Sequence, residues 1–272
     1  MSELTRIQEL LKKYGLAAKK SFGQNFLINE GVIKTIVNGM DVESFDTVIE
    51  IGPGLGSLTL PLSKKAKKLY AVEADRDMVM VLKDLFKNSA NVTIVPSDFL
   101  RFDPDTVSNK ETRLILGNLP YNITSELFEY LLSKGFKTAG AMVQKEVADK
   151  LTYETGKKEN TPLGAFIKAS GELRLLKAVD SSCFSPAPKV DSAFVRIDHT
   201  KDVPFSVYPV LKALFKDPNK TMGNCLRQSP LYPKAYTALK ERDEKRLSYR
   251  ARQCDPEVLV SLSEEILSLE QA

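Results

Sequence analysis

The chain is expected to fold as an α/β domain with a mostly parallel, Rossmann-like sheet, followed by a small C-terminal all-helical domain. Three observations point there. Short β-rich runs alternate with helical stretches between about 46 and 197. A glycine-rich turn closes the first of these runs. After about Thr200 strand signals stop and helical periodicity takes over. The expected domains are 1–200 and 201–272.

The strand candidates are DTVIEI (46–51), KLYAVEA (68–74), VTIVPSD (92–98), RLILGNL (113–119) and TAGAMVQ (138–144). Helical patterns such as DMVMVLKDLFKN (77–88) and SELFEYLLSKG (125–135) separate them, which implies right-handed crossovers between parallel strands. ELRLLKAV (172–179) and SAFVRID (192–198) read as an antiparallel hairpin at the sheet edge, joined by the Pro- and Ser-rich loop 180–191. The stretches 206–216, 222–228, 236–247 and 255–270 read as helices.

With 27% charged and 43% hydrophobic residues, the 272-residue chain has the composition of an ordinary globular protein. Its net charge of +4 is unevenly spread. Residues 201–252 hold 12 Lys/Arg against 5 Asp/Glu, about +7, which suits a polyanion-binding surface as well as it suits a solvated helical face. Cys183, Cys225 and Cys254 are unclustered, so neither a disulfide frame nor a structural zinc site is expected. His199 is the only histidine, at the end of a strand candidate, which leaves catalytic triads and histidine metal sites without residues. No metal is expected. The charge-broken N-terminus and the lack of an 18-residue apolar run predict a cytoplasmic protein with no membrane association; a monomer is expected.

The chemistry is written at the strand ends. Gly52, Gly54 and Gly56 in Val48-Ile-Glu-Ile-Gly-Pro-Gly-Leu-Gly56 let the backbone turn sharply and approach a ligand, with a helix expected from near Ser57. A plain strand-to-helix turn also uses such glycines. Glu73 ends the next strand 21 residues after Gly52, near the offset at which an acid accepts hydrogen bonds from ribose hydroxyls; alone it reads as a surface carboxylate. Asp98 ends the third strand, where it suits an adenine edge or a loop cap. Together the three strand ends imply an adenosine-containing cofactor.

The fourth strand ends Gly117-Asn-Leu-Pro-Tyr121. The N6 amine of adenine is a poor nucleophile because its lone pair is delocalised into the ring. Hydrogen-bond acceptors facing its two hydrogens favour a pyramidal, more nucleophilic nitrogen. The Asn118 side-chain oxygen and the Leu119 carbonyl are such acceptors, Pro120 fixes the turn, and Tyr121 offers a face for a flipped base. The plain alternative is a tight turn with a core tyrosine.

S-F-G-Q-N-F-L at 21–27, E-I-G-P-G-L-G at 50–56, G-N-L-P-Y-N-I at 117–123 and F-S-P-A-P-K-V-D-S-A at 184–193 together resemble the KsgA-type ribosomal RNA adenine N6,N6-dimethyltransferases over about residues 10–200. The resemblance implies a methyltransferase sheet dependent on S-adenosyl-L-methionine. The implied substrate is a pair of adjacent adenines in the 3′-terminal hairpin of small-subunit rRNA, within an immature subunit. It implies cofactor contacts from Asn25 and Leu27, joining Gly52, Gly54, Glu73, Asp98 and Asn118. It also places Phe184 over the target base opposite Tyr121; on residue type alone, Phe184 is either an exposed stacking aromatic or a loop residue tucked into the core.

Two departures from the family bear on RNA grip. Pro218 and Asn219 stand where a basic pair is usual, and E-T-G-K-K-E-N-T-P-L-G follows Tyr153 in place of Tyr-Gly and an apolar helix. The candidate phosphate contacts are Lys220, Arg227, Arg246, Arg250 and Arg252. Alternative readings are an Erm-like large-subunit rRNA methyltransferase, a DNA adenine methyltransferase, and a non-catalytic assembly or transcription factor on the same fold.

Overall fold

A computed structural model of the chain describes residues 1–19, 23–120 and 123–271. The described residues form nine strands: β1 (Phe26–Leu27), β2 (Thr47–Ile51), β3 (Leu69–Glu73), β4 (Val92–Pro96), β5 (Arg113–Asn118), β6 (Thr138–Gln144), β7 (Gly171–Val179), β8 (Phe184–Ser185) and β9 (Ser192–His199). Seven make one sheet in the order β4-β3-β2-β5-β6-β9-β7. β2 to β6 are parallel, and β9 returns antiparallel to β6. The five anticipated parallel strands are thus β2 to β6, and β7 is an edge strand outside β9. The strand order reverses between β2 and β5, where open α/β sheets bind ligands.

Every residue of β2 is buried, as the continuous apolar run of a central parallel strand requires. At the switch point the two backbones come unusually close. A Cβ on Gly117 would lie 2.3 Å from the Ile51 carbonyl oxygen, so β5 takes a glycine opposite Ile51.

In the first unit, Met1–Ala148 with Arg174–Asp198, the helices are α1 (Glu3–Tyr14), α2 (Glu30–Gly39), α3 (Thr59–Ser63), α4 (Arg76–Leu85), α5 (Thr124–Lys134) and α6 (Lys145–Leu151), whose end lies past the unit boundary. Ser2 caps α1 by accepting from the Thr5 N–H, and Gly15 ends it in the left-handed conformation. α1 buries Ile7 and Leu10 with Phe26, Leu55, Met78 and Val81, at about 1.5–3 kcal/mol per large apolar side chain. α3 begins at Thr59 rather than near Ser57, because Gly54 and Gly56 have positive φ and the Gly56 N–H closes a turn on Pro53.

The second unit, Asp149–Leu173 with His199–Ala272, holds α7 (Pro162–Ser170), α8 (Tyr208–Leu214), α9 (Met222–Arg227), α10 (Pro233–Leu247) and α11 (Pro256–Gln271). Where the sequence reading divides the chain at 200, this unit also takes residues 149–173. The reason is α7, PLGAFIKAS, which is buried on nearly all sides. Phe166 meets Phe205 and Tyr208 edge-on at 6.0 and 5.8 Å between ring centroids. The preceding stretch is tied down as well, through the Tyr153 hydroxyl donating to the Cys254 carbonyl at 2.8 Å. Among the described residues no helix is long and apolar enough to cross a membrane, and no His/Cys/Asp/Glu group could hold a metal ion.

Candidate active site

The carboxyl ends of β2, β3, β4 and β5, together with residues 23–27, enclose a cavity of about 240 Å³. Asn25, Leu27, Gly52, Gly54, Glu73, Asp98, Asn118, Leu119 and Pro120 all line it. Tyr121 lies outside the described residues.

The glycine turn is held from two sides. Gly54 has φ 57°, a left-handed conformation that favours glycine, and a Cβ there would stand 3.2 Å from the Phe26 ring, so the N-terminal segment packs closely over the turn. From below, Glu73 Oε2 accepts the Gly54 N–H at 3.0 Å and Oε1 accepts the Asp75 N–H at 2.8 Å. Burial raises the Glu73 carboxyl above its ordinary pKa, and these backbone donors offset part of that rise. Asp98 is exposed. One of its oxygens caps the following turn at the Leu100 N–H, at 3.0 Å, and the residue lines the cavity.

Glu50 is a buried acid next to the carboxyl end of β2, 2% exposed and lining the same cavity. Burial pushes its pKa up from 4.5 to about 8, and the nearby Glu73 carboxylate adds to the rise. The Thr59 hydroxyl favours the charged form, yet it makes no hydrogen bond of normal geometry, and Glu50 Oε2 has no partner. A raised folded pKa means that between pH 4.5 and about 8 the folded protein holds a proton that the unfolded chain has lost. Stability of the ligand-free protein should therefore fall as pH rises through that window, by up to about 1.4 kcal/mol per pH unit from this group. Glu50→Gln should remove that share of the slope in denaturant unfolding at pH 5, 6, 7 and 8. A stability difference between parent and variant that stays constant with pH would refute the assignment.

Asn118 sits at the end of β5 with its Nδ2 donating to the Asn25 carbonyl at 2.9 Å. A carbonyl only accepts, so this contact decides which way the amide faces. Oδ1 is then the free end, with no hydrogen-bond partner among the described residues, at the wall of the cavity. Leu119 and Pro120 follow it along the same wall, the Leu119 side chain buried beneath.

Phe184 is placed elsewhere. β8 pairs antiparallel with β1, Leu27 opposite Phe184, and turns the ring into the core with Leu27, Val179 and Phe194, at 3% exposure. The exposed stacking face expected from its Pro-bounded loop is absent, and Phe184 does not line the cavity. Among the described residues, the aromatic rings that line it are Phe26 and Phe99. Sequence reasoning also passed over Glu50, Gln24 and Asp75. An acid amid the apolar residues of a buried strand was a signal for Glu50; the other two depend on a long-range contact.

A parallel sheet with a glycine turn at its switch point, an acid ending the next strand and the cavity between them define the S-adenosylmethionine-dependent methyltransferase fold. The crystal structure of a dimethyladenosine transferase from Plasmodium falciparum has the same fold, with a TM-score of 0.74 at 23% identity over 90% of this chain and 98% of that one. The 23S rRNA methyltransferase ErmE matches with a TM-score of 0.66 at 26% identity, over 89% and 99% of the two chains. The sequence profile of the ribosomal RNA adenine dimethylase family matches residues 15–245. A protein named ribosomal RNA small subunit methyltransferase A from Clostridium botulinum is 34% identical over 229 residues, 81% of this chain and 83% of its own. Its namesake from Clostridium perfringens is 33% identical over 235 residues, 83% and 82% of the two chains. The chain belongs to the ribosomal RNA adenine dimethylase family and is an S-adenosylmethionine-dependent rRNA adenine methyltransferase.

Proposed function

We propose that the protein methylates the N6 amines of two adjacent adenines in the 3′-terminal hairpin of small-subunit rRNA, two methyl groups to each, within an immature subunit. The observation that carries the reading is the orientation of Asn118, whose free Oδ1 borders the same cavity as the glycine turn. The names of the Clostridium relatives favour the small subunit as the source of the RNA.

The cavity suits S-adenosyl-L-methionine on two counts. The turn at Gly54 takes a left-handed conformation that favours glycine and leaves bare backbone at the cavity wall, and Glu50 Oε2 is a buried oxygen that lacks a donor. Asn25, Leu27, Gly52, Gly54, Glu73 and Asp98 would hold the cofactor, which supplies a methyl group on a positively charged sulfur. Glu73 keeps the turn in shape, and its remaining lone pairs accept from ribose hydroxyls. Asp98 offers its second oxygen to an adenine edge. Asn118 Oδ1 and the Leu119 carbonyl accept from the substrate amine, which frees its lone pair for in-line attack. No strong base is required, because the alkylated amine is acidic and loses its proton to water. Tyr121 remains the proposed stacking partner of the target base.

The pairing of the basic side chains changes which of them we propose as phosphate contacts. Arg246 is paired with Asp243 and Glu265, Arg250 Nε donates to the Asn219 carbonyl, and Lys220 is tied to Asp217 and Gln228. Arg252 is half-buried, with one guanidinium nitrogen enclosed. Arg227, Lys234, Lys240, Arg242 and Lys245 are exposed and outside any ion pair among the described residues. They are the better candidates for phosphate contacts.

Immature small subunits, naked rRNA and DNA offered in parallel test the substrate. N6,N6-dimethyladenine is expected from the subunits and little from DNA; equal labelling of DNA would overturn the reading. Binding should weaken with salt at a log–log slope of roughly −0.7 to −0.9 per phosphate. Alanine at Lys240, Arg242 or Lys245 should lower that slope by about one contact or less, whereas Arg246→Ala should lower stability instead.

A further inference from the structure

The segment just before β1 is anchored to the start of α4. The Gln24 side-chain amide is held at both ends: Nε2 donates to Asp75 Oδ2 at 2.8 Å, and Oε1 accepts the Lys19 backbone N–H at 2.8 Å. Asp75 is itself only 2% exposed. Burial works against its charge, but the Lys19 ammonium at 2.8 Å, the Asp77 N–H and the Gln24 amide together hold its pKa below the ordinary value. The next residue, Asn25, offers the carbonyl that orients Asn118. Hydrogen bonds thus run from Asp75 to Gln24, across one peptide unit to Asn25, and on to Asn118. The ladder between β1 and β8 begins at Phe26, directly after that carbonyl, and the Gln24 anchor fixes the chain on its other side.

We propose that Gln24 and Asp75 are positioning residues for methyl transfer, holding the backbone at Gln24 and Asn25 so that the Asn25 carbonyl keeps Asn118 Oδ1 turned toward the substrate amine. This rests on the reading of Asn118 given above. The two ends of an amide have nearly the same shape, so an unanchored Asn118 can turn over and present a donor where an acceptor is needed. The two methylation steps feel this differently. Adenine N6 begins with two hydrogens, either of which can reach an acceptor. After one methylation a single hydrogen remains, and the second transfer depends more heavily on Oδ1 being in place.

The test uses the full-length protein, S-adenosyl-L-methionine and immature small subunits, with Gln24→Ala, Gln24→Glu, and Gln24→Glu combined with Asp75→Asn. Readouts are the single-turnover rate, the ratio of N6-methyladenine to N6,N6-dimethyladenine, and cofactor affinity by calorimetry. Each single variant is expected to slow transfer about tenfold and raise the monomethyl share several-fold, while cofactor affinity changes by less than about threefold. In the double variant carboxylate and amide exchange places across the same hydrogen bond, so most of the rate should return. Three results would overturn the proposal: parental rate and product ratio in the single variants; rate and affinity falling together with the ratio unchanged; or a folded double variant that recovers nothing. Should Gln24→Glu not fold, Gln24→Ala and the double variant decide. Asn118→Ala runs alongside. If it is as active as the parent, the reading of Asn118 falls and the link with it; if it is inactive beside fully active Gln24 variants, only the link falls.

Discussion

Replacing Asn118 by alanine should lower the rate of adenine methylation by about 10²-fold or more, while RNA and cofactor binding stay largely intact. The side chain holds no element of the fold together. Its one hydrogen bond among the described residues is Nδ2 to the Asn25 carbonyl, and its loss leaves that carbonyl at a cavity wall where water can reach it. The missing Oδ1 is needed chiefly as the nitrogen pyramidalises, so its absence raises the barrier rather than weakening binding. Asn118→Asp refines the point. A carboxylate keeps an acceptor for the amine but cannot donate to Asn25, so two oxygens would face each other and the rate should again fall. Single-turnover methylation measured beside calorimetry for the cofactor separates rate from binding. A variant with the parental rate would remove Asn118 from the chemistry.

The second large effect is expected at Glu73, in cofactor affinity. Both of its oxygens already accept backbone N–H groups, one from the glycine turn and one from the start of α4. Glu73→Gln is therefore not conservative, since either orientation of the amide points an NH2 at a backbone donor. Glu73→Ala leaves both donors without a partner, at roughly 1–3 kcal/mol each where buried. Either change should weaken S-adenosyl-L-methionine binding roughly 10- to 100-fold and lower the unfolding temperature of the ligand-free protein. Calorimetry showing unchanged affinity for Glu73→Gln would mean that the carboxylate neither shapes the turn nor touches the ligand.

The legible parts of this protein are those that local sequence dictates. β-rich runs, four of them ending near Gly, Asp or Asn, became β2 to β6. Once those strands were parallel and adjacent, Gly52, Glu73, Asp98 and Asn118 had to share one end of the sheet. What stayed hidden depends on distant partners. Phe184 looks exposed in a loop of Pro and Ser, and only the two-residue pairing with β1, more than 150 residues earlier in the chain, buries it. Asp75 looks like a helix cap, and it is one, but Lys19 and Gln24 reach it from some 50 residues away. Arg246 and Arg250 counted as free positive charge until Glu265 and the Asn219 carbonyl were placed beside them. α7 escapes the sequence reading, which finds the run after Tyr153 in place of an apolar helix, although PLGAFIKAS forms one.

The allegiance of α7 to the second unit has a consequence for synthesis. A ribosome delivers the helix early, yet the side chains that cover it belong to the last third of the chain. Phe205 and Tyr208 follow about 40 residues later, and the end of α11 about 100 residues later. At ~5–20 residues per second, an apolar helix waits some 5–20 s for the last of its cover. During that interval the nascent protein offers a sticky segment to chaperones and to its neighbours. A chain that stops near residue 200 would never leave that condition.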